Sequence, residues 1–210
     1  FPYTTLFRSA APKDTRVYVD GVEIPALYHG SGLRSTVAGD LVKSIELVPG
    51  AFGAEHGRAL GGLVRVETRE LPSEGVHGFV AADFLDASAM VSAAVGKRAR
   101  IGVAGRFSYL DRLLEGVVAK DVGDLFPVPR YFDAQAKASL ALREGESVEA
   151  SYLLSGDALT RAVPSADPAS VRRQSTESTF HRVYLRYSRV QGDGASAVVT
   201  PFFGRDESRE

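Results

Sequence analysis

The sequence predicts a mainly β protein in two parts: a small α/β unit over residues 10–72, then about seven antiparallel strands over residues 73–210. Three observations predict it. An Asp20-Gly21 dipeptide sits inside a strand-like run, VYVDGVEI, as in a tight hairpin. From residue 77 onward, apolar and polar residues alternate segment after segment, the period of a strand with two unlike faces. The connections between those segments are short at one end of the strands and mostly long at the other.

Composition narrows the function classes. Lys plus Arg is 25 and Asp plus Glu is 26, so the net charge is −1, without the basic surface that nucleic acid requires. Hydrophobic residues make up 44%, too many for a disordered chain. Cysteine is absent, which removes disulfides, Cys-ligated zinc and thiol catalysis. No apolar run approaches the roughly 20 residues of a membrane-spanning helix, and no secretory leader is visible.

In the first part, Val17 and Val19 alternate with Tyr18 and Asp20 up to the hairpin turn. The run LYHGSGLRS reads as a glycine-rich loop, and Asp40 as the N-cap of a short helical turn. Ile45 to Val48 reads as a buried strand closed by Pro49-Gly50. AFGAEHGRALGG is rich in glycine, and in LVRVETR the residues Leu63, Val64 and Val66 oppose Arg65 and Glu67. Gly61-Gly62 lacks the Lys-Ser/Thr and the following helix of a phosphate loop. His56 has no His or Cys at metal spacing and reads as a structural or surface histidine.

In the second part, Val80, Ala82 and Phe84 share one face of residues 77–85; Val91, Ala93 and Val95 oppose Ser88 and Ser92 in 88–96. Ile101, Val103, Phe107 and Tyr109 oppose Arg100, Arg106 and Ser108 in 100–110. Alternate residues from Ala134 to Leu142 oppose Asp133, Gln135, Lys137 and Ser139 in 131–142. Val148, Ala150, Tyr152 and Leu154 oppose Glu149, Ser151 and Ser155 in 147–155; Val183, Leu185 and Tyr187 oppose Arg182, Arg186 and Ser188 in 179–190. A further strand starts within 195–204. GKR, REGE and QGDG are short turns, while 111–130 and 156–178 are expected to be long loops. A soluble β-sandwich also alternates, so the pattern alone leaves that fold open.

VYVDGVEI, DLVKSIELVPG and AEHGRALGGLVRVETR, in that order and spacing, resemble the second half of the plug domain of TonB-dependent outer-membrane receptors. The family writes a strand "IEV", then Gly-Pro-rich residues, then Tyr-Gly, a double glycine and a last strand. Ile45, Glu46 and Leu47 match the strand, His56-Gly57 stands for Tyr-Gly, Gly61-Gly62 for the double glycine, and Leu63 to Thr68 for the last strand. Asp20, Gly21, Pro49, Gly50, Gly57, Arg58, Gly61 and Gly62 are the structural positions of the motif.

The resemblance implies a plug over 10–72 and, over 73–210, the first strands of a transmembrane β-barrel whose family members close with about 22 strands. Tyr109, Tyr131 and Phe132 would then suit an aromatic girdle at the lipid interface. Where the family has Arg-Gly-Pro this chain has Pro49-Gly50-Ala51, so the family's plug-to-wall arginine lock is expected only if Arg58 or Arg65 replaces it.

By the same resemblance, the whole protein binds a scarce solute (a siderophore, haem, cobalamin, oligosaccharide or peptide) at the bacterial outer membrane. A TonB-type energising protein then drives its import. No covalent chemistry and no cofactor is implied. The TonB box belongs to the family's N-terminus and is not among these residues. Tyr28, His29 and Arg34, in the loop 27–34, are the candidate solute contacts; the alternative is that this loop packs against the barrel wall. An outer-membrane adhesion or structural barrel that imports nothing is the second reading. Catalysis is disfavoured: Glu144 and Glu146 sit in a turn, and His29-Gly30-Ser31 has no third member. FPYTTLFRS can be encoded by TTT CCC TAC ACG ACG CTC TTC CGA TCT, a common sequencing-adapter string. Residues 1–9 are therefore expected to be translated adapter, and both ends of the chain to be cut.

Overall fold

The computed structural model describes residues 14–30, 32, 34–50, 53, 56, 61–112, 130–163, 172–192 and 194–210. Residues 1–9, Ser31, Leu33, Gly57, Arg58 and most of 111–130 lie outside the described residues.

The small sheet contains β1 (Thr15–Val19), β2 (Val22–Ile24), β3 (Val42–Val48) and β4 (Gly62–Thr68), in the order β2-β1-β4-β3. Asp20 (φ 49°) and Gly21 (φ 87°) both take left-handed backbone, which gives the β1–β2 hairpin a twist matching its strands. β1 runs parallel to β4, and β3 antiparallel to it. Val17, Val19, Val22, Ile24, Val64 and Val66 are buried together with Leu27 and Val37. Each such side chain stabilises by about 1.5–3 kcal/mol on burial.

Two expectations for this region are corrected. β3 is a strand but not a buried one: Ile45 is 58% and Leu47 41% exposed. They stand opposite Val66 and Val64, at the sheet's edge and outside the buried cluster that the large sheet covers. Asp40 is not an N-cap. The 3₁₀ turn Gly39–Leu41 is capped by Ala38 without a side-chain bond, and buried Leu41 pins it from within. Among the described residues of 14–72, helical backbone is confined to that turn and to Asp14.

The large sheet contains β5 (Val76–Ala82), β6 (Asp86–Val95), β7 (Ala99–Ser108), β8 (Arg130–Arg143), β9 (Glu146–Val163), β10 (Arg172–Val190), β11 (Ser196–Val199) and β12 (Phe202–Arg209). Each neighbouring pair is antiparallel. β11 and β12 lie end to end on β10 in one register, interrupted at Pro201, which has no N–H to give; its carbonyl still accepts from Leu185 N at 3.1 Å. The eight strands therefore fill seven positions. The short turns carry Gly96, Gly145 and Gly194 with φ of 66°, 69° and 86°.

The expected long loop 156–178 is largely strand. β9 and β10 pair without a break from Glu146–Arg189 to Val163–Arg172. Past Leu154 the outward row turns small and polar (Gly156, Ala158, Thr179, Glu177), so the apolar signal ends before the backbone ladder does.

The faces of this sheet are opposite in character. Val80, Val91, Val95, Ile101, Val103, Phe107, Leu140, Val183 and Leu185 project from the outer face and are exposed. Asp86, Ser92, Asp133, Gln135, Ser151, Ser155 and Arg182 are buried on the inner face, against the small sheet. A protein made for water buries its apolar face. A β-sandwich would turn these valines and leucines toward a second sheet, whereas here the charged face is enclosed. Tyr131 also departs from expectation: it points inward and is buried, while its neighbour Phe132 faces out. A period of two permits only one of an adjacent pair to reach a girdle.

Candidate functional site

The chemistry of this chain is concentrated in the seam between the two sheets. Polar side chains cross it in both directions. From the small sheet's side, Arg34 Nε donates to Asp86 Oδ2 at 2.7 Å, and its Nη2 to Asp83. From the wall, Arg106 donates to the Ser35 carbonyl, Lys137 Nζ to the Arg69 carbonyl (3.1 Å) and Thr68 Oγ1 (2.7 Å), and Arg182 Nε to the Glu23 carbonyl (2.7 Å). Gln135 Nε2 donates to the Thr36 carbonyl at 3.0 Å. Arg182 also forks onto Asp206 at 2.6 and 3.0 Å. Wall cations thus satisfy carbonyls of loops and, at Glu23, of the edge strand β2 that have no strand partner on that side.

Asp20 ties the hairpin turn to both sheets. Its carboxylate accepts from Thr68 N (2.9 Å), Thr68 Oγ1 (2.6 Å) and Tyr184 Oη (2.9 Å) on β10. One residue therefore supplies the left-handed turn position and a contact across the seam. Gly61 donates its N–H to the Asp14 carbonyl at 2.9 Å, setting the start of β4 beside β1. Pro49 and Gly50 follow β3 on the surface.

His29 is the most enclosed polar group in the seam, with 1% of its surface exposed. Its Nδ1 lies 3.0 Å from Asp157 Oδ1 on β9 and its Nε2 3.0 Å from Asp133 Oδ2 on β8. The ring stacks on Tyr131 at 4.4 Å between centroids, and Tyr131 Oη donates to Asp86. Burial opposes charge on the imidazole, but the hydrogen bonds and fields of Asp133 and Asp157 outweigh it and raise the pKa from 6.5 to about 8. The raised value means that the protonated ring favours the closed seam. Its contribution is complete below pH 6.5 and disappears as the pH rises through about 8.

Of the residues singled out in the sequence, His29 and Arg34 are thus engaged with wall carboxylates, while Tyr28 is 37% exposed. Among the described residues Arg65 bonds within the small unit, donating to Glu46 (3.4 Å) and to His56 Nε2 (2.9 Å), and His56 also packs on Tyr18. Arg58 and Gly57 lie outside the described residues. Arg106, Asp133, Lys137 and Arg182 occupy polar strand positions whose shared face is legible in the alternation, but their seam contacts are not; Asp157 falls in the segment expected to be a loop, so not even its register position was legible. The partners of all five across the seam are 68 to 159 residues away in sequence.

Among the described residues the seam opens into two larger cavities. One of about 380 Å³ lies beside β5 and β6, lined by Asp40, Arg69, Glu70, His77, Phe79 and Ser92 among others; one of about 240 Å³ lies between Pro25, Ala26 and Thr36 on one side and Ser155, Asp157 and Phe180 on the other. No group of three or more His, Asp or Glu placed to hold a metal ion occurs among the described residues. No helix among them is long and apolar enough to cross a membrane.

No protein-family model and no curated protein matches the chain. Among solved structures, it is similar to a mutant ferric enterobactin receptor (PfeA) from Pseudomonas aeruginosa in complex with enterobactin, with 17% identity and a TM-score of 0.46 over 94% of this chain and 38% of that one. It is also similar to the siderophore receptor PirA from Acinetobacter baumannii, with 15% identity and a TM-score of 0.47 over 94% of this chain and 36% of that one. For the siderophore receptor PirA from Pseudomonas aeruginosa the identity is 14% and the TM-score 0.46, over 96% and 41%. The chain spans about two fifths or less of the length of these receptors.

Proposed function

We propose that this chain is part of a TonB-dependent outer-membrane transporter. In this reading residues 10–72 belong to the plug and residues 73–210 to the first strands of the barrel wall. The observation that carries it is the inversion of the large sheet, with apolar side chains facing out and charged side chains enclosed against a second unit. Lipid is the solvent that stabilises such an outer face, and a closed barrel is the β structure that satisfies its backbone there.

The whole protein, on this reading, takes up a scarce solute without covalent chemistry. The wall cations and carboxylates hold the plug in its closed position, and a TonB-type protein acting from the far side supplies the work that opens it. Tyr28, the exposed one of the three side chains Tyr28, His29 and Arg34, is the proposed solute contact, with His29 and Arg34 positioning the loop. The chain's charge balance leaves nucleic acid outside the reading.

The test is uptake. The complete reading frame is expressed in a bacterium lacking its own receptors, and uptake of radiolabelled ferric siderophore, haem, cobalamin, oligosaccharide and peptide is followed with and without a proton-motive-force uncoupler. Uncoupler-sensitive uptake of one solute is expected. Insertion into the outer membrane with no energy-dependent uptake of any of them favours an adhesion or structural barrel. A water-soluble product overturns the membrane reading altogether.

A further inference from the structure

The three charged groups around His29 balance with the ring in only one of its protonation states. Asp133 and Asp157 carry two negative charges, Arg106 one positive charge, and all face the same ring. Arg106 Nη2 is 3.4 Å from His29 Nε2, with Asp133 Oδ2 bonded to both. The next pair out, Arg34 and Asp86, is mutually neutral, with Asp83 on the exposed side of Arg34. Among the described residues of its own loop, His29 bonds to backbone: its N–H donates to the Arg34 carbonyl and its carbonyl accepts from Gly32 N. Tyr131 contributes a ring face.

A carboxylate only accepts, so two carboxylates on opposite ring nitrogens need two N–H donors, which only the imidazolium has. The neutral ring with its proton on Nδ1 keeps Asp157 and can accept from Arg106 Nη2 at Nε2, but it gives up its bond to Asp133 and leaves the cluster with a net negative charge in an enclosed place, which is costly.

We infer that His29 is a proton-operated latch between the 27–36 loop and wall strands β8 and β9, closed when the ring is protonated and released when it loses its proton. The geometry supports release of the whole loop. Asp157 Oδ1 also accepts from Gly30 N at 3.3 Å, and Thr36 N donates back to the Leu27 carbonyl at 2.8 Å, so the segment is held at its tip and closed at its base. The inference concerns this contact and holds whatever solute the protein carries.

The experiment uses the full chain in detergent micelles with ¹³C-labelled histidine. Backbone hydrogen-exchange protection factors for residues 27–36 are measured from pH 6 to 9.5, alongside the imidazole shifts. A ring pKa of about 8 against 6.5 when released corresponds to roughly thirtyfold loss of loop protection across that range. β1 and β4 should keep theirs. His29→Gln should show no such pH dependence. Asp157→Asn should lower the ring's midpoint by about one unit or more, because it removes one of two opposite charges. Loop protection that does not change with pH, a loss of equal size in His29→Gln, or a ring that titrates at or below 6.5 would each overturn the latch. Membrane insertion and solute uptake are read separately, so failure of the latch leaves the transporter reading standing, and the reverse.

Discussion

Val103→Arg separates a membrane wall from a water-soluble sheet most sharply. Val103 projects from the outer face of β7, is 54% exposed, and lies between Val91 and Ala136 in register. β7 runs from Ala99 to Ser108, so Val103 is about 14 Å along the strand from one end and about 17 Å from the other. At a tilt of about 40° those distances become heights of about 10 and 13 Å, near the middle of an apolar band about 25 Å tall. An arginine there is expected to cost about 2–4 kcal/mol if the outer face meets lipid. If the face meets water, a change at a half-exposed strand site stays within about 0.5 kcal/mol. The assay is a urea titration of the chain in short-chain lipid vesicles, followed by circular dichroism, with Val103→Leu as the control. A monodisperse fold in lipid-free buffer, in which Val103→Arg is neutral, would refute the reasoning.

Other perturbations test the seam and the turns. Asp20→Ala removes the acceptor of Thr68 N, Thr68 Oγ1 and Tyr184 Oη, and should destabilise by about 2–4 kcal/mol in the same titration, with Asp20→Asn costing less. Arg182→Ala strips the Glu23 carbonyl and Asp206 of their donor; because Asp206 is half exposed, a loss of about 2 kcal/mol is expected, read as earlier proteolysis of residues 14–48. Gly145→Ala meets both a φ of +69° and the Val190 carbonyl oxygen at 2.5 Å from the new Cβ, so a loss of about 2 kcal/mol should appear as a lower urea midpoint, with Gly192→Ala, in open space, nearly neutral.

Several features follow from local rules and were legible residue by residue. Asp20-Gly21 names its own turn, because few dipeptides accept two left-handed positions in succession. The strand faces from Val80 to Leu185 follow from a period of two, which no tertiary contact is needed to reveal. The short turns at 96–98, 144–145 and 191–195 mark themselves with glycine. Where local rules ran out, the reading shifted. Alternation faded past Leu154 although pairing continued to Val163, since strand pairing is a property of two backbones and not of their side chains. Ile45 and Leu47 look like core residues in any window of sequence, and only the reach of the large sheet leaves them exposed.

The candidate site belongs to the second kind. Sequence alone set out the two-faced strands, the hairpin, the absence of cysteine chemistry and the polar character of the loop holding Tyr28, His29 and Arg34. The tertiary structure alone decided which way the charged face turns and what each charge meets. His29 meets Asp133 and Asp157, which are 104 and 128 residues further on, and Arg182 meets a carbonyl 159 residues back. A periodic pattern specifies that a strand has two unlike faces but carries no sign for inside and outside. That sign comes from what is packed against the sheet, and here the small sheet covers the charged face and leaves the apolar face uncovered.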